Sequence, residues 1–238
     1  MNILITGASK GLGLHISKQL LNEGHSIYAL SRSKGGLEEL VQRYPGMVHY
    51  LPYDLSNAED VKRMVFSDWL DGVTLHGFVN NAAMAYDTLL TNMNLKKVQK
   101  MTAVNQITPM ILTKYVIRNM ILHNVRGSIV HISSVSVHTG YKGLSMYAAT
   151  KGALEAFSKN TAREWGTKGI RSNCIAAGFM ETNMTDVMRD EVKQRIYKRT
   201  ALKSETSLDS VAESTGFLLS DKAKSITGQV LHVDSGTI

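Results

Sequence analysis

The opening of this chain restricts its fold more than any other stretch. Ile3, Leu4 and Ile5 read as a short buried strand, and Thr6-Gly7-Ala8-Ser9-Lys10-Gly11-Leu12-Gly13 follows at once. Apolar residues then recur at helical spacing over 12–23, with Gly24 as the stop. A strand that turns through glycines into a helix brings backbone close to a pyrophosphate, and the helix N-terminus supplies oriented N–H groups. The spacing here is GxxxGxG rather than the commoner GxGxxG. The same glycines could serve close packing alone; strand, turn and helix in that order favour a dinucleotide.

The rest of the chain keeps the alternation. Strand patterns fall at 26–30, 48–52, 76–83, 128–132, 172–176 and 229–233, with helical patterns between them at 36–44, 57–70, 95–124, 144–165, 186–198 and 208–219. Such alternation predicts an α/β fold, a single-domain, doubly wound parallel sheet of Rossmann type with helices on both faces, spanning residues 1–238. The ligand site belongs at the carboxyl ends of the strands. Apolar residues at 43%, three prolines and no linker-like segment support one domain with one core.

Charge narrows the partners. Lys and Arg number 27 against 20 acids, a net charge of +7. Like charges form no block and aromatics are sparse among them, so nucleic acid is not expected; the bias suits phosphorylated cofactors and acidic carrier proteins. Cys174 is the single cysteine and reads as a small core filler. No metal-ligand cluster stands out. No charged leader precedes the first strand and no apolar run nears the ~20 residues that span a bilayer, so the expectation is a cytoplasmic protein without a membrane partner.

Within this frame several side chains are candidates for chemistry. Tyr147 and Lys151 sit at i and i+4 of a helical pattern, stacked on one face. A nearby ammonium favours phenolate, which would make Tyr147 a better proton donor to a ketone oxygen as hydride reaches its carbon. Alone, such a pair is also what an ordinary amphipathic helix carries. NAD-preferring sites place an acid about 20 residues beyond the glycines. Here Arg32 stands nineteen residues after Gly13, the next acid is Glu38, and Lys10 lies inside the turn. Two cations where a 2′-phosphate would lie point to NADP(H). Asp54 closes a strand and reads either as an adenine contact or as the turn residue of the next helix. Asn81 and Ala82 end a strand in small and amide side chains, as close approach to a ligand requires. Asn105 falls inside the long helical pattern, where a satisfied core amide is its simplest reading.

Taken together, Thr6 to Gly13, Asn80-Asn81-Ala82-Ala83, Asn105, Ser134 thirteen residues before Tyr147, Lys151, Gly178 to Thr182, Ile226-Thr227-Gly228 and His232 to Gly236 resemble a single-domain short-chain dehydrogenase/reductase over nearly the whole chain. The resemblance implies that Tyr147 gives the proton, Ser134 holds the substrate oxygen, Lys151 binds the nicotinamide ribose and lowers the Tyr147 pKa, and Asn105 holds a water for proton resupply. It further implies cofactor contacts from Gly7, Ser9, Gly11 and Leu12 to the phosphates and from Lys10 and Arg32 to the 2′-phosphate. Asp54 and Leu55 would meet the adenine, Asn81 and Ala82 the neighbouring ribose region, and Gly178, Met180 and Thr182 the nicotinamide end. Ala83, Ala177 and Ser235 depart from the residues usual at those places. Within the family the pattern is closest to 3-oxoacyl-acyl-carrier-protein reductases, which implies an NADPH-dependent reduction of a β-ketoacyl thioester; a dehydrogenase of a sugar, polyol or other small secondary alcohol is the alternative, and a non-catalytic nucleotide-binding regulator a third class. It also implies carrier docking by Lys168 and Arg126, a pocket with Met84, Met93, Met146, Met180, Met184 and Met188 about it, and a homotetramer or dimer.

Overall fold

The computed structural model describes residues 1–182 and 189–237. Among the described residues seven strands form one sheet in the order β3-β2-β1-β4-β5-β6-β7. They are β1 (Asn2–Thr6), β2 (Ser26–Ser31), β3 (Val48–Pro52), β4 (Gly77–Asn80), β5 (Ser128–Ser134), β6 (Arg171–Ala177) and β7 (Val230–Val233). Every neighbouring pair runs parallel, with Ile3 opposite Ile27 and Gly77, and His131 opposite Cys174. The doubly wound architecture is as the alternation predicts. The strand order reverses direction between β1 and β4, which opens a crevice at their carboxyl ends.

Strand β1 is buried on both faces, and its alternate side chains feed two cores. Ile3 and Ile5 pack with Leu12, Ile16 and Leu20 of α1 (Gly11–Asn22) and with Val211 and Leu218 of α8 (Leu208–Leu219). Leu4 faces the other way, among Phe78, Ile129 and the Leu112, Val116 and Met120 stripe of α4 (Thr108–Leu122). Helix α2 (Leu37–Arg43) lies beside α1 on the first face through Leu37 and Leu40. Helix α6 (Ser145–Trp165) lies on the second face, its buried side including Thr150, Lys151, Leu154, Ser158 and Thr161.

Two helical patterns are less regular than their spacing suggests. The pattern at 95–124 divides into α3 (Leu95–Thr102), a wide π-helical stretch Ala103–Ile107 and α4. Asn105 lies in the wide stretch, so the residue that costs helix propensity sits where the ladder opens. The pattern at 57–70 is a short turn, Ala58–Asp60, followed by another π-helical stretch, Val61–Trp69. Short helices α5 (Ser136–Thr139) and α7 (Asp190–Tyr197) complete the chain.

Gly13 shows how closely the first turn is packed. A Cβ there would fall 2.1 Å from the Gly7 carbonyl oxygen and 2.6 Å from Asn81 Nδ2. Gly13→Ala must therefore displace backbone, and denaturant unfolding should show a loss of more than about 2 kcal/mol. At Gly166 nothing lies within 4 Å of an added Cβ, and Gly166→Ala should stay within about 0.5 kcal/mol of wild type.

Candidate active site

The crevice is built around Thr6, at the end of β1. Its buried Oγ1 accepts from the amides of Asn81 and Ala82, both at 3.1 Å, and so ties β4 to the first turn. Asn81 Nδ2 donates to the carbonyls of Thr6 (3.0 Å) and Gly7 (3.3 Å). Gly7, at φ +68°, packs so closely that a Cβ would meet Ala82 Cα at 2.9 Å. The amide of Asn81 thus fastens the turn instead of reaching outward. Lys10 precedes α1 in extended conformation and offers no side-chain cap, and the first helical turn holds no acid. No side chain within this turn therefore competes with a phosphate-sized anion for the amides that open α1. At Gly11 an added Cβ would meet nothing nearer than Thr182, at 3.7 Å, among the described residues. That contact brings the segment after β6, with Gly178, Met180 and Thr182, over the glycine turn.

The loop after β2 joins the same rim, since the Ser9 carbonyl accepts from the amide of Gly36 at 3.0 Å. Lys10 and Arg32 are exposed on these two linked loops. Asp54 Oδ1 accepts from the amide of Ser56 at 2.9 Å, a turn that opens the following helical stretch. That hydrogen bond, aided by the charges of Lys100 and Arg32, lowers the Asp54 pKa. Leu55 is buried, and its carbonyl accepts from Thr108 Oγ1 at 2.7 Å. The residues fit a phosphorylated dinucleotide: uncapped amides at one end, room over Gly11, and two cations on the neighbouring rim.

The other half of the crevice comes from β5 and α6. Ser134 ends β5, and its hydroxyl hydrogen-bonds Tyr147, which is half-buried near the start of α6. The Ser134 oxygen also accepts from the amide of Ser136 at 3.2 Å. One helical turn on, Lys151 is 2% exposed and its Nζ lies 5.9 Å from the centre of the Tyr147 ring. Asn105 reaches the same place from the opened helix. Its Oδ1 accepts from the Met84 amide (2.7 Å) and its Nδ2 donates to the Met84 carbonyl (2.8 Å) and to Thr150 Oγ1 (3.1 Å). Thr150 in turn donates to the Tyr147 carbonyl at 2.8 Å. The side chain of Asn105 is thus a clamp between the segment after β4 and α6. Thr150 is a part of this arrangement that spacing alone does not single out.

Other candidates lie elsewhere. Lys168 precedes β6 and Arg126 precedes β5; the carbonyl of Gly127 accepts from the amide of Arg171. Both therefore stand at the amino edge of the sheet, roughly 20 Å from Ser134 along a seven-residue strand. A single chain does not place them beside Tyr147. Among the methionines, Met146 is buried, Met180 packs on the core and Met93 is 50% exposed. Met184 and Met188 fall outside the described residues. Cys174 is buried, as a core filler should be. Among the described residues no group of His, Cys, Asp or Glu is arranged to hold a metal, and no helix is long and apolar enough to cross a membrane.

A family model described as Enoyl-(Acyl carrier protein) reductase matches residues 7–237. The 3-oxoacyl-[acyl-carrier-protein] reductase FabG of Aquifex aeolicus is 32% identical over 239 residues, covering 98% of this chain and 95% of that protein. Its namesake in Staphylococcus aureus is 33% identical over 250 residues, covering 98% and 96%. Among solved structures, an Agrobacterium tumefaciens protein assigned as a 2-deoxy-d-gluconate 3-dehydrogenase, with bound NADP, superposes with a TM-score of 0.91 at 25% identity, covering 99% of this chain and 95% of that one. A 4-hydroxyisoleucine dehydrogenase in complex with NADH and succinate gives 0.91 at 26%, covering 99% and 98%.

The electrostatics of the pair differ from the expectation drawn from its spacing. Burial pushes the Tyr147 phenol up to about 12, and the hydrogen bond from Ser134 offsets that only in part. Burial also draws the Lys151 ammonium down to about 8. Its Nζ donates to the Ile132 carbonyl at 2.7 Å. Desolvation therefore governs the phenol, which is held neutral rather than acidified. The folded pKa of Lys151 lies below its unfolded value, so the cost of burying the charge is full below about pH 8 and is relieved as pH rises toward 10.5. Relative to Lys151→Met, the wild type should gain about 1.4 kcal/mol per pH unit above pH 8 in urea unfolding. A difference that stays constant from pH 7 to 10 would mean the ammonium is not desolvated.

Proposed function

The chain belongs to the short-chain dehydrogenase/reductase family, and from that footing we propose that it is an NADPH-dependent ketoreductase of a β-ketoacyl thioester carried on acyl carrier protein. The observation that carries the reaction type is the Ser134–Tyr147 hydrogen bond at the carboxyl ends of the strands, across the crevice from the uncapped glycine turn. The acyl substrate is supported by near-full-length kinship with acyl-carrier-protein reductases.

A bound nicotinamide supplies hydride to the ketone carbon. This chain's residues do the rest. Ser134 orients the substrate oxygen and Tyr147. Tyr147, neutral at working pH, keeps its proton at Oη until the oxygen gains charge, then releases it to that atom. Lys151 stands behind the phenol as the ribose-binding amine and proton source, and Asn105 keeps α6 and the segment after β4 in register while holding the water through which protons return. The amides of Gly11 and Leu12, with Gly7 and Ser9 shaping the turn, take the pyrophosphate. Lys10 and Arg32 take the 2′-phosphate. Asp54 and Leu55 border the adenine, Asn81 and Ala82 the ribose region, and Gly178, Met180 and Thr182 the nicotinamide end. Exposed Leu95, Ile107 and Leu122 along the α3–α4 stretch support association with further copies, as a tetramer or dimer. If Arg126 and Lys168 dock the carrier, such association is how they come near a site, because one chain holds them at the far edge.

The second reading, an NADP-dependent dehydrogenase of a small secondary alcohol, is favoured by the superposition on dehydrogenases of small hydroxylated metabolites. Following NADPH consumption with an acetoacetyl thioester on carrier protein, against a panel of small ketones and sugars, separates the two: turnover confined to the small molecules would overturn the acyl reading. Tyr147→Phe should lower kcat by about 10²-fold or more while NADPH affinity changes less than about twofold. Arg32→Ala should weaken NADPH by about tenfold and NADH hardly at all; equal losses would refute the 2′-phosphate assignment.

A further inference from the structure

Helix α6 carries one polar contact that this chemistry leaves unused. Glu155 stands one turn beyond Lys151, with its side chain 11% exposed. Its Oε1 accepts from Ser133 Oγ at 2.5 Å and from His138 Nε2 at 3.1 Å. Ser133 is 3% exposed and immediately precedes Ser134. His138 belongs to α5, whose first residue, Ser136, donates its amide to the Ser134 hydroxyl at 3.2 Å. The His138 ring also meets His232 of β7, centre to centre at 4.6 Å. One carboxylate oxygen therefore grips the chain on both sides of Ser134, before it through Ser133 and after it through α5.

The mechanical consequence concerns how far along α6 the end of β5 sits. Tyr147 and Lys151 ride on α6; Ile132, which takes the Lys151 proton donor, and Ser134 ride on β5. A slide of the strand end against the helix changes the Ser134–Tyr147 separation directly. Lys151 resists that slide through a main-chain carbonyl of β5. Glu155 resists it through a side chain one residue further on, by charge-assisted bonds of which the one to Ser133 is buried and the one to His138 lies at the surface. We infer that Glu155 is a positioning residue, which through Ser133 and His138 holds the Ser134 hydroxyl where it meets Tyr147. The inference rests on the assignment of Ser134 and Tyr147 as the pair that handles the substrate oxygen.

The test is a mutant cycle read in kcat. Ser133→Ala and Glu155→Leu should each lower kcat about tenfold, leaving the NADPH Kd and substrate KM within about twofold. Because both variants release the same grip, the double variant should be no slower than the slower single one. Glu155→Gln keeps an acceptor for Ser133 and should recover most of the loss. Wild-type kcat in Ser133→Ala and Glu155→Leu, or losses that multiply in the double variant, would overturn the inference. Should Glu155→Leu fail to fold, Ser133→Ala decides alone, since it deletes only one hydroxyl. Tyr147→Phe, run beside them, separates the two levels. If it keeps turnover, the ketoreductase assignment fails; if it loses turnover while the Glu155 and Ser133 variants do not, only the positioning role fails.

Discussion

Everything at this site depends on how α6 is fastened to β5 and β6. Where two such elements meet, hydrocarbon is the usual adhesive, but here a row of polar contacts runs through the interface. The Lys151 ammonium donates to the Ile132 carbonyl, Ser158 and Ser172 share a hydrogen bond at 2.8 Å, and Ser133 bonds Glu155. Buried polar groups cost free energy unless paired, and a buried ammonium costs most of all. The depressed pKa of Lys151 is the trace of that cost. Directional bonds tolerate sliding poorly, whereas an oily seam would let the helix shift along the strand. The interface thus exchanges some stability for a defined position of Tyr147 over Ser134.

The opposite wall obeys a different constraint. Around Thr6 and Gly7 the chain is packed backbone to backbone, with small residues and amide side chains doing the fastening. That leaves amides and two exposed cations to meet an anion, and no carboxylate to repel it in the first turn of α1. Asn105 joins the walls, because its amide bonds both the segment after β4 and Thr150 of α6. The His131 Nδ1 meets Asn80 Nδ2 at 3.3 Å while its Nε2 has no partner among the described residues, and burial draws its pKa to about 3, so it sits neutral beneath α6.

Much of this was legible in the residues. The alternation of strand and helix patterns places all seven strands, and the glycine turn locates the crevice, because both signals are local and repeat what the backbone must do. Ser134, Tyr147 and Lys151 meet because only the short α5 separates β5 from α6 along the chain. Three matters were not legible. Spacing put Tyr147 and Lys151 on one face, but whether charge or burial governs them depends on the sheet beneath, and burial wins. For Asp54 the sequence offers both a turn and an adenine contact, and the fold shows the turn, whereas the bonds by which Asn81 fastens the glycine turn appear only in the folded chain. The polar row under α6 is invisible in sequence, since Ser133, Glu155 and His138 look like ordinary strand and helix residues until the fold brings them together. Lys168 and Arg126 illustrate the reverse: the strand patterns at 128–132 and 172–176 already put both before a strand, at the edge away from the ligand site, and the fold keeps them there.

Desolvation, rather than the neighbouring amine, sets the state of the proton donor. Tyrosine labelled with ¹³C at Cζ reports phenol ionisation by its chemical shift, and Tyr147→Phe identifies the signal. In the free protein that resonance should hold its neutral position from pH 7 to 10, in keeping with a pKa of about 12. A move toward the phenolate position at pH 8 or below would show that Lys151 acidifies the phenol after all, and would contradict the account.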